Sequence, residues 1–525
     1  MTAARAAGAT CLLAFTLAGS SPCAAQVARA DTPPPGPNGT AAADTTGWLP
    51  PDHWTRHALA RLAAASATST ELAALAWPAR RATVRRILLD AATRPASRDH
   101  ATSPAENAPS NQTADSHTAM ARAWLDRFDA EFAERRIGPI AFTPPAFAAR
   151  AGEGSLLAGQ AVPSPTGYDY TGPTPDNRDT DVFVEISATA TVGRRFDLAA
   201  DARQYTDGPN ELVRATAGAR FGAVELWGGR REASYGPSPD GLTLSGRVPF
   251  DGGGLDTPAG FVLPGFLRAL GTVRVNQVVA RFDRTGDVAE PWFVATRLSF
   301  APSSRVAVGV NRAALFGGEG NEPVTLGRLL LVLFGITDSR GKDSDFENQV
   351  ASLDVAWNPG GSVLLWAEYG FDDAGTAFVL VPGLSLGALW AGPSWAEALS
   401  IGGSVTGIAS SCCGHPRWYF HGALADGWTD RGVLLGHPLG GNGLEAAMEW
   451  ALDPASSRVL ARGRFFVRDR GRENLYSPDR HGRTGGIEAW LQVMPGRFRL
   501  EAGLESEVGA GPDRWSALLR AAIAL

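Results

Sequence analysis

The chain has 525 residues, among them 61 glycines, 15 tryptophans and only 4 methionines, and a net charge of −6. So slight an acidic balance leaves no basic footprint for nucleic acid, and beyond the N-terminal leader no run reaches the ~18 apolar residues of a membrane helix. A mean hydropathy of −0.08 does not exclude a membrane, because a transmembrane barrel alternates lipid-facing and lumen-facing residues.

The chain opens with Arg5, an apolar run from Ala6 to Gly19, and small residues ending Cys23-Ala24-Ala25-Gln26. This is the form of a secretory signal peptide, residues 1–25, with a second cut available after Ala30. Cys23 invites lipidation, but Ser20-Ser21-Pro22 makes a poor lipidation box. Residues 26–46 are Pro/Gly/Ala/Thr-rich and read as a flexible lead.

Residues 47–150 read as a small helical satellite domain. In the first helix Asp52 can cap, and Trp54, Ala58 and Leu62 fall on one face with Leu59 beside them. The second, Ala79–Ala92, turns Val84, Ile87 and Leu88 inward and Arg80, Arg81, Arg85 and Arg86 toward solvent. A polar loop covers 95–117. The third helix, Thr118–Arg135, aligns Met120, Trp124, Phe128 and Phe132, with Leu125 widening the stripe. Residues 151–178 read as a linker.

From Asp179 the period changes to two. Val182, Val184, Ile186, Ala188, Ala190 and Val192 form one row, and Val213, Ala215, Ala217, Ala219 and Phe221 another, opposite Arg214, Thr216 and Arg220. Similar ladders occur at Val459–Arg468, Ile487–Met494 and Arg499–Glu505. Such strands are long enough to cross a hydrocarbon core when tilted, and arginines opposite an apolar row suit a wet lumen better than a packed sandwich. The expected fold is therefore mainly β, an antiparallel transmembrane barrel over 179–525 with roughly 14 to 18 strands. The apolar runs Leu329–Ile336 and Ala377–Val381 are strand-sized. The last segment places Trp515, Ala517, Leu519, Ala521, Ile523 and Leu525 on one face; barrels commonly end in Phe or Trp, and this chain ends in Leu.

The segment from Cys412 to Asn442 carries the densest chemistry. It packs Trp418, Tyr419, Phe420 and Trp428 among Arg417, Asp430, Arg431, His415, His421 and His437. Aromatic faces beside planar hydrogen-bonding groups suit a sugar, whose C–H face stacks while its hydroxyls take paired bonds. Trp428, Arg431 and His437 lead as polysaccharide contacts, followed by Asp430, Arg417, Trp418 and Tyr419. The competing reading is a strand-loop-strand corner set by Gly427, Gly432 and Gly436, with Trp428 in a girdle and Arg431 paired to Asp430 inside the lumen. Cys412 and Cys413 are adjacent, so the fold does not rest on a disulfide framework, and no finger-like ligand spacing calls for a metal. Glu368, Asp372 and Asp373 resemble a glycosidase carboxylate set but read better as a strand end. No G-x-S-x-G elbow, H-E-x-x-H helix or phosphate loop is present, so no catalytic residues and no cofactor are assigned.

The order Y-x-H…G-W-T-D-R-G-x-x-L-G-H-P-L-G in this segment resembles the signature of the Wzi family, outer-membrane proteins that hold capsular polysaccharide on the bacterial surface. Tyr235–Phe250, Ala314–Gly320 preceded by Asn311 and Arg312, and Leu365–Gly375 match further family stretches in the same order. The resemblance implies an 18-stranded barrel in the outer membrane and a non-catalytic, lectin-like protein. Its partners would be capsular or exopolysaccharide and outer-membrane lipid, with the polysaccharide export machinery as a further one. The first helix is similar to the opening of S-layer homology repeats, which implies peptidoglycan or another periplasmic polymer as a partner of the helical segment. The rival functions are a porin-like channel, which needs an open lumen, and an outer-membrane enzyme acting on lipid or glycan.

Overall fold

The computed structural model describes residues 48–49, 54–65, 76–77, 79–93, 111–132, 135–154, 180–193, 195–205, 211–238, 240–246, 248–282, 284–285, 288–321, 323–333, 347–372, 382–392, 398–408, 418–419, 427–430, 433–454, 458–475, 481–494, 498–510 and 514–524. Among them a single sheet of 20 strands dominates. Two short members, Arg135–Ile137 and Phe261–Val262, each flank one neighbour. The other eighteen form the wall: β1 Ile140–Gly154, β2 Thr180–Val192, β3 Phe196–Tyr205, β4 Glu211–Phe221, β5 Val224–Arg231, β6 Phe250–Asp256, β7 Thr272–Arg281, β8 Trp292–Ser303, β9 Val306–Phe316, β10 Glu347–Gly360, β11 Val363–Asp372, β12 Pro382–Ala391, β13 Leu399–Ile408, β14 Gly441–Leu452, β15 Val459–Asn474, β16 Gly482–Val493, β17 Phe498–Gly509 and β18 Arg514–Ala524. Each is antiparallel to the next, β6 pairs with β7, and β18 pairs with β1, so the pairing passes round the wall and returns to its start.

Alternation makes the two faces. On β2, Val184 and Ile186 are more than 40% exposed on the outside while Thr189 and Thr191 are buried within. Leu353, Val355 and Trp357 of β10 and Phe465 and Val467 of β15 continue the outer belt. Inside, Arg297 meets Asp354 at 2.5 Å, and Arg464 and Arg468 each meet Glu445 at 2.5 Å. An apolar belt outside and ion pairs inside is the transmembrane-barrel pattern. No helix among the described residues is long and apolar enough to cross a membrane; the strands cross it. Tight turns such as 222–223, 304–305 and 361–362 close one end, which in such barrels faces the periplasm, and the long connections 232–249, 317–346 and 409–440 lie at the other.

Several boundaries differ from the sequence expectation. The barrel begins at Ile140 rather than 179, taking in the end of the supposed helical domain and the first residues of the supposed linker. Pro144-Pro145 hid this strand, and they sit where the register with β2 shifts, a place where prolines cost no ladder bonds. On β4 a register irregularity opposite Asp201 and Ala202 leaves Val213 unpaired and buried, with Leu212 outside instead. The run that starts at Leu329 contributes to a helix, not a strand.

Four helices are described: α1 Trp54–Ala64, α2 Arg81–Thr93, α3 Asn111–Glu131 and α4 Leu326–Leu333. The expected inward residues of α1 to α3 are buried together, Trp54, Leu59, Leu62, Val84, Leu88, Trp124 and Phe128 among them. α3 starts earlier than its apolar stripe suggests, because a polar first turn continues the helix. These helices are no satellite: residues 44–525 form one compact unit. Arg80, expected in solvent, lies 2.7 Å from Asp197 and bonds Glu225 on the inner wall, and Arg127 meets Asp453 at 2.8 Å. The helices sit in the mouth at the tight-turn end.

Candidate functional site

The opposite half of the lumen is filled by two long connections that fold inward. The first, 232–249, buries Ala233, Tyr235, Leu242, Leu244 and Val248. The second buries Trp418, Tyr419, Trp428, Leu434, Leu435 and Leu439. They share one apolar core with Trp227, Phe250, Phe282, Phe293, Leu315 and Val350 of the wall and its adjoining connections. Their backbones are joined where Ser245 N–H donates to Leu435 O at 2.8 Å.

The residues singled out from the sequence hold this arrangement. The Trp428 indole N–H donates to Thr243 O at 3.1 Å, and its ring lies 6.0 Å from Phe293. Trp418 lies flat in a slot where Gly370 of β11 faces Gly383 of β12; a β-carbon at either would stand 2.8 Å from the indole. Tyr419 takes φ +68°. Its amide donates to Asp372 Oδ2 at 2.6 Å, its hydroxyl donates to Leu242 O at 2.5 Å, and it accepts from His437 N–H at 3.0 Å. Asp430 is buried in the short ladder Thr429–Asp430 against Val433–Leu434. The three rings are 0% exposed, so in this conformation they present no face to a sugar. Trp428 lies in the lumen core and not in a girdle, and the expected pairing of Arg431 with Asp430 falls outside the described residues. Arg417, Arg431, Cys412, Cys413, His415, Phe420 and His421 lie outside the described residues.

His437 is buried with its Nδ1 accepting from Leu439 N–H at 3.2 Å and its Nε2 4.0 Å from Glu445. Burial, only partly offset by Glu445 and Asp240, lowers its pKa to about 4, so the ring is neutral at pH 7. Asp240, His437 and Glu445 bring ligand atoms within 4.8 Å of one another. Arg464 already bonds both carboxylates, at 2.9 and 2.5 Å, and Arg468 takes Glu445 again. With two guanidinium groups in place, the cluster is an ion-pair network rather than a cation cradle.

Sequence reasoning missed the anchors. Glu368 and Asp372, four apart on the inner face of β11, were read as a strand end. Glu368 accepts from Leu242 N–H at 3.2 Å and from the Ser352 hydroxyl at 2.7 Å, while Asp372 accepts from Tyr419. One strand thus fastens both connections. The available signal was parity: both carboxylates share the inward row with Gly370. The helical end completes the filling. Trp77 and Ser234 exchange backbone bonds at 3.0 and 2.9 Å, and Arg56 donates to Ser238 O at 2.7 Å. The lumen is occupied from both ends by segments that touch.

Among solved structures the chain is similar to Wzi of Escherichia coli, an outer-membrane protein involved in group 1 capsule assembly and a carbohydrate-binding β-barrel. The identity is 16%, the coverage 91% of this chain and 99% of that one, and the TM-score 0.67. It is also similar to OccK11 (OpdR) and OpdK of Pseudomonas aeruginosa, at 11% and 10% identity, covering 73% of this chain and 95% and 98% of theirs, with TM-scores of 0.44. A search of curated proteins by sequence finds no match. The family described as capsule assembly protein Wzi matches residues 173–457, more than half of the chain and inclusive of both inward connections. The chain belongs to the capsule assembly protein Wzi family.

Proposed function

We propose that this outer-membrane barrel binds exported polysaccharide at the cell surface and holds it there without chemical turnover. The observation that carries the reading, beyond family membership, is the filled lumen. The helical segment, through Arg56 of α1 and Trp77, meets the 232–249 connection, which shares its core with Trp418, Tyr419, Trp428 and Leu434 of the 409–440 connection inside the wall. That supports a presenting surface rather than a conduit. The buried aromatics act as the frame of the 409–440 connection, and the direct contacts fall to its polar residues, with Arg417 and Arg431 foremost. His437 and Asp430 position the frame. Many weak contacts along a repeating polymer raise avidity without a strong single site.

The test is surface retention. Arg431→Ala and Arg417→Ala should still give heat-modifiable barrels yet lose polymer from the cell surface while secretion into the medium continues. Each lost contact is expected to cost on the order of 1–3 kcal/mol per site, multiplied along the chain. Folded variants that retain as much polymer as the parent would move the contacts elsewhere. Steady open-channel conductance of the intact protein in planar bilayers would restore the porin reading. We propose further that the helices at the tight-turn mouth contact a cell-wall polymer or the export machinery. Trp54, Ala58 and Leu62 of α1 are already used in their own core, so such contact would use the polar face.

A further inference from the structure

α4 interrupts the 317–346 connection at the outer end, and it does not join the lumen filling. Strand parity shows where it lies. On β9, Asn311 bonds Arg297 and Asp354 inside the barrel, and Ala313 and Leu315 belong to the lumen core. Val310, 39% exposed, Arg312, Ala314 and Phe316 therefore face outward. α4 packs on this outer row: Val332, Leu329 and Leu333 cover Val294, Ala314 and Phe316 beside Trp292 and Val279. Phe316 pairs with Trp292 and Ala314 with Val294, so the helix lies across the last two rows of the wall on its long-connection side.

Arg312 stands on the same outer row. This arginine points from the lipid side of the wall, where an unpaired charge is costly. Its guanidinium donates to Val332 O in the last turn of α4 and to Gln349 at 2.7 and 3.0 Å, with Glu347 at 3.7 Å. The Val332 carbonyl of the helix thus closes over the charge. The helix then shows a second apolar face away from the barrel, with Leu326, Leu330 and Leu331 exposed by 72%, 44% and 41%.

A helix with leucines on both sides has no stable place in water. Here one side covers the wall and the other continues the belt of Val310, Leu353 and Val355. We propose that α4 is a membrane-embedded cover. It takes the place of lipid over Arg312 and the Trp292–Phe316 rows, and inserts Leu326, Leu330 and Leu331 among the acyl chains of the outer leaflet, at the boundary with the headgroups. The described part of the connection, 323–333, is thereby tethered to the bilayer surface beside the barrel.

The experiment uses the full chain with its native cysteines changed to serine, reconstituted in dioleoylphosphatidylcholine vesicles. Leu330→Cys carries an environment-sensitive fluorophore, and Glu319→Cys, on the exposed approach to the helix, is the control. Lipid bearing a nitroxide at a shallow acyl position should quench the Leu330 label several-fold more than the Glu319 label, and aqueous iodide should do the reverse. Equal iodide quenching at both positions would place the helix in water and overturn the proposal. So would lipid quenching that vanishes as protein density rises while the unlabelled Leu330→Cys protein forms disulfide cross-links under an added oxidant, since a second copy would then cover the face. If Leu330→Cys fails to assemble, Leu331→Cys on the same face gives the same readout.

Discussion

The two fillings of the lumen are built on opposite principles. At the tight-turn end α1 to α3 bring their own apolar core, to which the wall contributes Leu460, with a further alanine-rich patch where Ala63 and Ala64 meet Ala356 and Leu389. Their attachments to the wall are mostly polar: Arg80 with Asp197 and Glu225, Arg127 with Asp453, Glu131 with Arg499 at 2.5 Å. At the other end the connections have no core apart from the wall. Trp428 packs on Phe293, Trp418 on Gly370 and Gly383, and Tyr419 bonds Asp372. The helical filling brings its own core and is fastened to the wall by ion pairs. The loop filling is part of the barrel's own interior.

Trp428→Ala tests this difference most severely. Emptying so large a site should cost about 3–5 kcal/mol, and because the core is shared, the barrel should lose heat stability as one unit. A loop that loosens while the wall melts unchanged would break the comparison. Ala217→Arg, on the exposed row of β4, should impair assembly by roughly 2–4 kcal/mol, while Thr216→Arg on the inner row is tolerated. Heat-modifiability gels read both, and equal tolerance would mean the register is wrong.

Acidification separates the ends differently. His437 is held neutral among Asp240, Glu445, Arg464 and Arg468. Its pKa in the folded state, about 4, lies below the unfolded value of 6.5, so the stability present above pH 6.5 is lost as pH falls toward 4. The loss approaches roughly 3 kcal/mol. Hydrogen exchange of the amides in 433–440 should rise across that window in the parent and stay flatter in His437→Gln; identical profiles would remove His437 as the cause. Arg127→Ala is the mildest change. Losing a charge-assisted pair at about 1.5–3 kcal/mol should expose the helical segment to protease while the wall keeps its melting temperature. A matching fall in both would mean the helices are as integral as the loops.

How far the fold was legible follows from the same contrast. Alternation is a local signal, so Val184, Ile186 and Ala217 declared their side of the wall directly. The first strand was concealed because Pro144-Pro145 interrupt its alternation beside the helical segment, and Val213 was misplaced because an unpaired residue flips the row without changing composition. The 412–442 segment drew notice for its aromatics. Whether such a connection folds outward to a ligand or inward to a core depends on partners distant in sequence, such as Leu242 and Asp372. For the same reason Arg80 resembled an ordinary solvent-facing helix residue until the wall carboxylates Asp197 and Glu225 were placed opposite it.

The bonds that seat the inward connections also bear on timing. Leu242 reaches Glu368 across 126 positions, and Trp428 reaches Thr243 across 185. Contacts so remote in the chain wait on the closure of everything between them. The strands can zip neighbour to neighbour, but neither inward connection has its carboxylate until β11 stands in the wall. The molecule is thus expected to pass through a hollow ring before its outer mouth is stopped. In stopped-flow refolding into micelles, far-ultraviolet strand signal should precede the fluorescence change of Trp418 and Trp428, and simultaneous phases would refute a hollow precursor.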